Sequence, residues 1–483
     1  MKPCIKFCLP LLLAALGLML AGRVTAQTFT TLYNFTALSG PASTNSDGGN
    51  PQAGLIVSSN TLYGTARNGG ASGNGTVFAL NNDGTGFTTL HSFTMLKNNT
   101  NADGALPTAG LVLSGNTLYG TTQDGGSVGN GTVFAISTDG TGFTNLHSFA
   151  GYPGEGNRPA AGLVLTNDIL YGTTLFGGNS DNGTLFAVRT DGTGFTNLYS
   201  FTALSSPIPN GVNSDGANPI APLLLSANGL YGTATYGGSS GNGTVFGINT
   251  DGTGFTNLHI FSGGSDGAIP TAGLVLLDNT LVGTASGGGT SGNGTVFALN
   301  ADGTGFTNLY SFTGGSSGRD PIKRLLLSGN TLYGTTYLGG NLSSVSSGIG
   351  TVFAVNTNGM GYTNLHSFAG YPGDGANPAA ELLLSGYTLY GTAQFGGSLF
   401  DGTIYSLSFR PQLTIIRCGA NVILTWPTNN VGFDYTGFTL QSTTNIFPPA
   451  VWSTNSPSPV VISGQNTVTN PISGSQQFFR LSQ

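Results

Sequence analysis

The chain has 483 residues, 80 of them glycine, and charged side chains make up 7% of it, with a net charge of −6. A charge-poor, mildly acidic surface argues against nucleic acid or an anionic membrane as partner, because both attract clustered cations. Abundant glycine would suit a disordered chain, but hydrophobic residues are 38% of this one and fall in strictly periodic runs.

Residues 1–26 read as a secretory signal peptide. Lys2 and Lys6 precede the apolar run LPLLLAALGLMLAG, and Val24-Thr25-Ala26 offers small residues for cleavage, so the mature chain is expected to begin at Gln27. The run is short for a membrane span and no other stretch approaches one. Arg23 stands where a lipid-bearing cysteine would have to follow Leu20-Ala21-Gly22. The expectation is an exported, extracytoplasmic protein without membrane span or lipid anchor. Cys4 and Cys8 would leave with the leader, so Cys418 is expected to lack an intrachain disulfide partner. The net charge would deepen to −9 once Lys2, Lys6 and Arg23 are removed.

From Thr28 the chain repeats itself. LYGT or LVGT starts at Leu62, Leu118, Leu170, Leu230, Leu281, Leu332 and Leu389, at intervals of 51 to 60 residues, a period that suits propeller blades. Each unit reads as four short strands; the copy from Ala109 runs AGLVLSG, NTLYGTT, GTVFAISTDGTG, FTNLHSF. Strands such as TVFAI are apolar on neighbouring positions, which predicts burial on both faces. Ser-Gly-Asn and Asp-Gly-Thr-Gly mark hairpin turns, because Asn, Asp and Gly tolerate positive φ. TFTTLYNF, at Thr28, is a fourth strand without its first three, and the unit ending GTIYSLSF lacks its fourth. The first strand of the chain is therefore expected to complete the last blade and remove the exposed edge. The predicted fold is all-β: a seven-bladed β-propeller over 27–409.

These residues resemble a known family. LYGTT at Leu118, GNGTVFAL at Gly73 and NLHSFAGYPGDGANPAAELLLSG at Asn364 are similar to the bacterial GloVer tandem repeat of choice-of-anchor proteins. The resemblance covers Thr28 to about Phe409. It implies a secreted or surface protein with a variable C-terminal device, and no established activity.

Over 411–483 the repeat stops, and QLTIIRCG, NVILTWP, GFTLQSTTNI, PVVISG and QQFFRLSQ read as strands of a small β-sandwich similar to fibronectin III. Trp426 is its expected core residue, with Phe438, Leu440, Phe479 and Leu481 around it. At 73 residues it is short for that fold, so a strand of the sandwich is expected to be missing.

No motif for a nucleophile elbow, a zinc protease or a Walker loop occurs. His91, His147, His259 and His366 share one repeat position with Tyr33, Tyr199 and Tyr310, which points to packing. Asp47, Asp103, Asp215, Asp266 and Asp374, with Glu155 in register, each precede Gly and are expected to make Asx-turns. One acid per loop falls short of the several that calcium needs. No catalytic residue, metal or cofactor is therefore assigned.

Variation concentrates in two sets of connections. The four-to-one loops range from Thr36–Asn50 and Thr202–Asn218 down to Ser262–Ile269, and the two-to-three loop of blade six is extended over Asn341–Ile349. In a propeller both sets emerge on one face, which is then the expected binding face. Phe176, Tyr236, Tyr337 and Phe395 beside the Gly-Gly pairs are candidate rings for sugars or peptide side chains. The first strand opens with Gly54, Gly110, Gly162, Pro222 and Gly273 in five blades; Arg324 and Glu381 stand there in the sixth and seventh, and are expected to pair within roughly 4 Å near the channel mouth. Arg319 and Lys323 would add a basic patch for an acidic sugar or carboxylate. The function that follows is a monomeric, noncatalytic binding or surface module for an extracellular glycan or peptide. The alternative is a polysaccharide-active enzyme using the same face.

Overall fold

The computed structural model describes residues 27–340, 348–454, 457–472 and 476–483. Residues 1–26, expected to be a leader, and all but the last two residues of the expected blade-six loop extension lie outside them. The described chain forms two units. Among the described residues, one comprises 30–385 with 389–406; the other comprises 407–483 with 386–388 and 27–29.

In the repeat region the described residues form seven antiparallel sheets of four strands. The second sheet is typical, with strands Val112–Ser114, Thr117–Thr122, Thr132–Ser137 and Thr144–Ser148 in spatial sequence. Its two central strands are buried along almost their whole length. One contact explains why the repeat keeps LYGT and TVF together. Gly120 pairs with Phe134 across the ladder, and a Cβ at Gly120 would stand 2.6 Å from the Phe134 ring and 2.8 Å from Leu111. Only glycine leaves that ring its place. Gly391 does the same for Tyr405 in the seventh sheet, where tyrosine replaces phenylalanine.

The core is a set of wedges between neighbouring sheets. Tyr63, Val77 and Ala79 of the first sheet pack on Leu111, Leu118, Phe134 and Ile136 of the second. Tyr390 and Ile404 of the seventh pack on Leu62, Phe78 and Leu80 of the first. The last sheet thus meets the first as any sheet meets its successor. Gly75 abuts Pro107 of the following sheet, and Gly402 abuts Pro51. Thr65 Oγ1 donates to the Ala109 carbonyl at 3.1 Å, and Thr392 Oγ1 to that of Ala53 at 3.2 Å. Thr28–Asn34 takes the outermost place of the seventh sheet, beside Thr403–Ser408. Beyond it, the Phe35 amide donates to Gly402 and the Ser398 amide to Asn34 Oδ1. The arrangement is propeller-like.

The C-terminal unit holds a four-stranded sheet and a three-stranded sheet. Leu424, Trp426, Leu440 and Val468 form its core, with Phe479 and Leu481 packed against them. Phe438 departs from expectation: it precedes the strand Thr439–Thr443 and its ring meets Tyr387 and Tyr435 instead. The structure adds a strand the sequence reading did not give, Gln465–Pro471, which pairs with Asn421–Pro427 on one side and Val460–Ile462 on the other. Its Asn-Thr-Val-Thr-Asn sequence carries one apolar residue, too weak a strand signal to read. Cys418 is disulfide-bonded in the full chain, whereas the expectation of a lone cysteine is for a chain without Cys4 and Cys8. The other two cysteines, Cys4 and Cys8, lie outside the described residues.

Candidate functional site

Each first strand is approached through a short segment that reads Pro-X-Ala-Gly-Leu in its commonest form, as at Pro51–Leu55 and Pro107–Leu111. Small side chains let these segments crowd around one axis. The alanines Ala53, Ala109, Ala161, Ala221, Ala272 and Ala380 are at most 4% exposed. Residues from all seven sheets line the resulting passage, about 40 Å³ at its narrow part. That is room for only a few waters or one small group. Above it opens a funnel of about 430 Å³, within the usual range of small-molecule sites. Gln52, Thr108, Ile220, Thr271 and Ile322 line the funnel, with Arg67, Gln123 and Leu175 from just beyond the second strands.

The funnel therefore opens at the end where the four-to-one and two-to-three connections emerge. Backbone bridges tie those two connections together, as Gly49 to Asn68, Ala105 to Asp124 and Ala376 to Phe395.

Three charges interrupt the small-residue lining. Lys323 and Arg324 replace the Ala-Gly pair in the sixth sheet, and Glu381 replaces the glycine in the seventh. Burial lowers the Lys323 ammonium from its usual value, and the opposite charge of Glu381 pulls it back only in part. The expected Arg324–Glu381 pair is not made: among the described residues neither takes part in an ion pair. Each leans over a glycine on its far side. The Glu381 Cγ lies 2.3 Å from where a Gly54 Cβ would stand, and the Arg324 Cδ lies 3.4 Å from that of Gly273. Glycine in the neighbouring sheet gives each chain room, and they diverge.

The other expected site residues are dispersed. Arg319 is outside the lining of both channel cavities; its backbone pairs with Leu338 and its Nε is buried without a partner. Phe176 lines a separate cavity of about 340 Å³ with Arg158 and Asp181. Tyr337 is one residue out of register with the other rings and donates to Gln394 Oε1 at 3.3 Å. Tyr236 and Phe395 pair through their backbones with Ala217 and Ala376, away from the channel lining. The lining thus unites Lys323, Arg324 and Glu381, and omits the other five. The sequence reading missed Arg67, although it too is a charge where the equivalent residues Gln123 and Leu175 have none. It also missed Phe400, whose exposed ring stacks on Tyr371 at 3.8 Å.

The loop acids have a structural task, different from the expected Asx-turn. Asp103 meets His91 Nε2 at 3.0 Å and accepts the Thr94 amide and hydroxyl. Asp47 accepts Tyr33 and Thr36 in the same way. The turn is made two residues earlier, where Asn45 Oδ1 accepts the amides of Gly48 and Gly70. The pinned ring then stacks on the next sheet: His91 on Phe143 at 3.9 Å, His147 on Phe195 at 3.8 Å, Tyr199 on Phe255 at 4.0 Å. Burial alone would raise the Asp103 carboxyl, but the bonds from His91 and Thr94 outweigh it and hold it low. Burial lowers the imidazoles of His147 and His259 more than Glu155 and Asp266 raise them.

Among solved structures, the chain is similar to the GH74 enzyme of Niastella koreensis at 13% identity, over 93% of this chain and 72% of that one, with a TM-score of 0.48. It is similar to an oligogalacturonate lyase in complex with manganese at 10% identity, over 80% and 96%, with a TM-score of 0.47. A chain of a nidogen/laminin complex matches at 16% identity, over 60% and 90%, with a TM-score of 0.36. No curated protein matches the chain. No helix among the described residues is long and apolar enough to cross a membrane. The Gloeobacter/Verrucomicrobia repeat matches residues 22–212 and 209–345, and with LYGT in six of the seven sheets and GTVF in five, this chain belongs to that bacterial repeat family.

Proposed function

We propose that the chain is an exported, noncatalytic binding module: a seven-bladed β-propeller carrying a fibronectin-III-like sandwich. Its ligand, an extracellular glycan or peptide, enters on the face of the variable loops. The observation that carries this reading is where the repeat breaks. The contacts between sheets recur copy after copy, whereas Lys323, Arg324 and Glu381 break the pattern at the channel beneath the variable loops. A repeat that keeps its packing and changes its concave lining is built for recognition. The enzymatic alternative requires two carboxylates facing each other across a scissile bond. Among the described residues the channel lining supplies one carboxylate, Glu381, which favours binding over glycoside hydrolysis.

The test is a glycan and peptide array probed with the chain from Gln27. Retention of a defined ligand class, lost when the variable loops are shortened, is the expected outcome. Absence of binding to every class would end the binding reading in favour of a structural surface role. Export is tested separately, by finding the chain outside the cytoplasm with Gln27 at its N-terminus.

A further inference from the structure

We infer that the axial funnel recognises a sugar carboxylate, a uronate unit whose carboxylate is drawn to Lys323 and Arg324 while the amides and hydroxyls above them meet its hydroxyl groups. This rests on the binding-module reading and names its ligand class.

Charge comes first. Arg67, Lys323 and Arg324 face the funnel and its neck, against the single carboxylate of Glu381. None of the three cations has an ion-pair partner among the described residues. Elsewhere in the repeat the contrast is plain: Arg158 pairs with Asp124 at 3.1 Å and Arg189 with Asp191 at 3.9 Å. Holding cations in a confined channel without a partner costs stability. Six of the seven sheets avoid that cost at the Lys323 position by keeping alanine. A ligand anion would offset it.

The ligand's form follows from the walls. A guanidinium fork matches a carboxylate with two parallel hydrogen bonds. Glu381 leaves the neck with one surplus positive charge, which suits a singly charged carboxylate better than a doubly charged phosphate. Above the neck, Gln52, Gln123, Thr108 and Thr271 offer neutral hydrogen-bonding groups beside Ile220 and Ile322. The Thr108 hydroxyl is buried and has no partner. Such a mixed wall matches a pyranose, with hydroxyls at its edge and C–H groups on its face.

The experiment is calorimetric titration of the chain from Gln27 with glucuronate and galacturonate. Glucose, galactose and inorganic phosphate serve as competing probes. Uronates are expected to bind at least about tenfold tighter than the parent sugars or phosphate, and more weakly in high salt. Arg324→Gln and Lys323→Gln should each weaken uronate binding by about tenfold or more, and Glu381→Gln should strengthen it. Unchanged uronate affinity in Arg324→Gln and Lys323→Gln, with unchanged melting temperatures, would overturn the proposal. So would equal binding of phosphate or of the neutral sugars. If those two variants fail to fold, Glu381→Gln decides, because unchanged affinity there also overturns it. Array binding to neutral glycans or peptides without any uronate binding would refute this inference and leave the binding module standing. No binding of either kind would remove both.

Discussion

The rim and the axis of the repeat unit use side chains in opposite ways. At the rim an acid, a hydroxyl and a ring from the fourth strand satisfy one another, and the ring stacks on the next sheet. The same arrangement recurs with tyrosine in place of histidine, as at Tyr33 on Phe87. At the axis the lining is small and neutral until Lys323, Arg324 and Glu381 interrupt it, and those charges find no partner within ion-pair reach. The acid, hydroxyl and ring at the rim stabilise because they bond one another, whereas the charges at the axis have no ion-pair partner among the described residues and are costly to hold there.

The comparison breaks most sharply if the ring itself is opened. Removing residues 27–35 takes away the outer strand of the seventh sheet and the fully buried Phe35. A collapse in melting temperature or aggregation is expected, since an edge is exposed. A truncated chain that melts with the intact one would show that closure contributes nothing. Phe134→Ala, in a wedge, should cost about 3–5 kcal/mol by chemical denaturation. Gly120→Ala should also destabilise, by about 1–3 kcal/mol, because the same ring must move.

At the rim, Asp103→Ala should cost about 1–3 kcal/mol, as it strands the Thr94 amide and hydroxyl together with His91. Acid should act there too. His147 and His259 are held below the ordinary imidazole value of 6.5, so the folded state resists their protonation. The stability they contribute is present above that value and is lost as pH falls through their folded pKa. Asp103 and Asp266, also lowered, add a second loss below the ordinary carboxyl value of 3.8. Melting temperature should therefore fall from pH 7 to pH 5 and further below pH 4; a flat profile would contradict the pinning. The smallest effect belongs to the axis. Lys323→Ala restores the residue of the other six sheets and should be neutral or stabilising by up to about 1 kcal/mol. A large loss there would make the axial charges structural and erase the distinction.

Much of this was legible because repetition samples the same physics several times. Leu62-Tyr63-Gly64-Thr65 and its six relatives announced strands buried on both faces, and the orphan TFTTLYNF announced where closure would fall. The loop acids were misassigned for a physical reason. Asp103 precedes glycine as an Asx residue does, but its partners are His91, twelve residues earlier on the preceding strand, and Thr94. Local pattern cannot show a bond that only the return of the chain creates. The strand Gln465–Pro471 was hidden differently, since pairing on both sides stabilises a sequence whose own strand preference is weak.

The sequence by itself determined the period, the strands of the repeat, the closing strand and the two sets of variable connections, because each depends on hydrophobic spacing and turn chemistry within a few residues. Tertiary structure decided which departures from the repeat share a cavity. Lys323, Arg324 and Glu381 line one channel, while Arg319, only four residues before Lys323, lies outside it. It also separated Arg324 from Glu381, two adjacent charges of opposite sign. Their directions depend on where a neighbouring sheet leaves room, and that room lies at Gly54 and Gly273, residues distant in sequence that closure of the sheets brings to the axis.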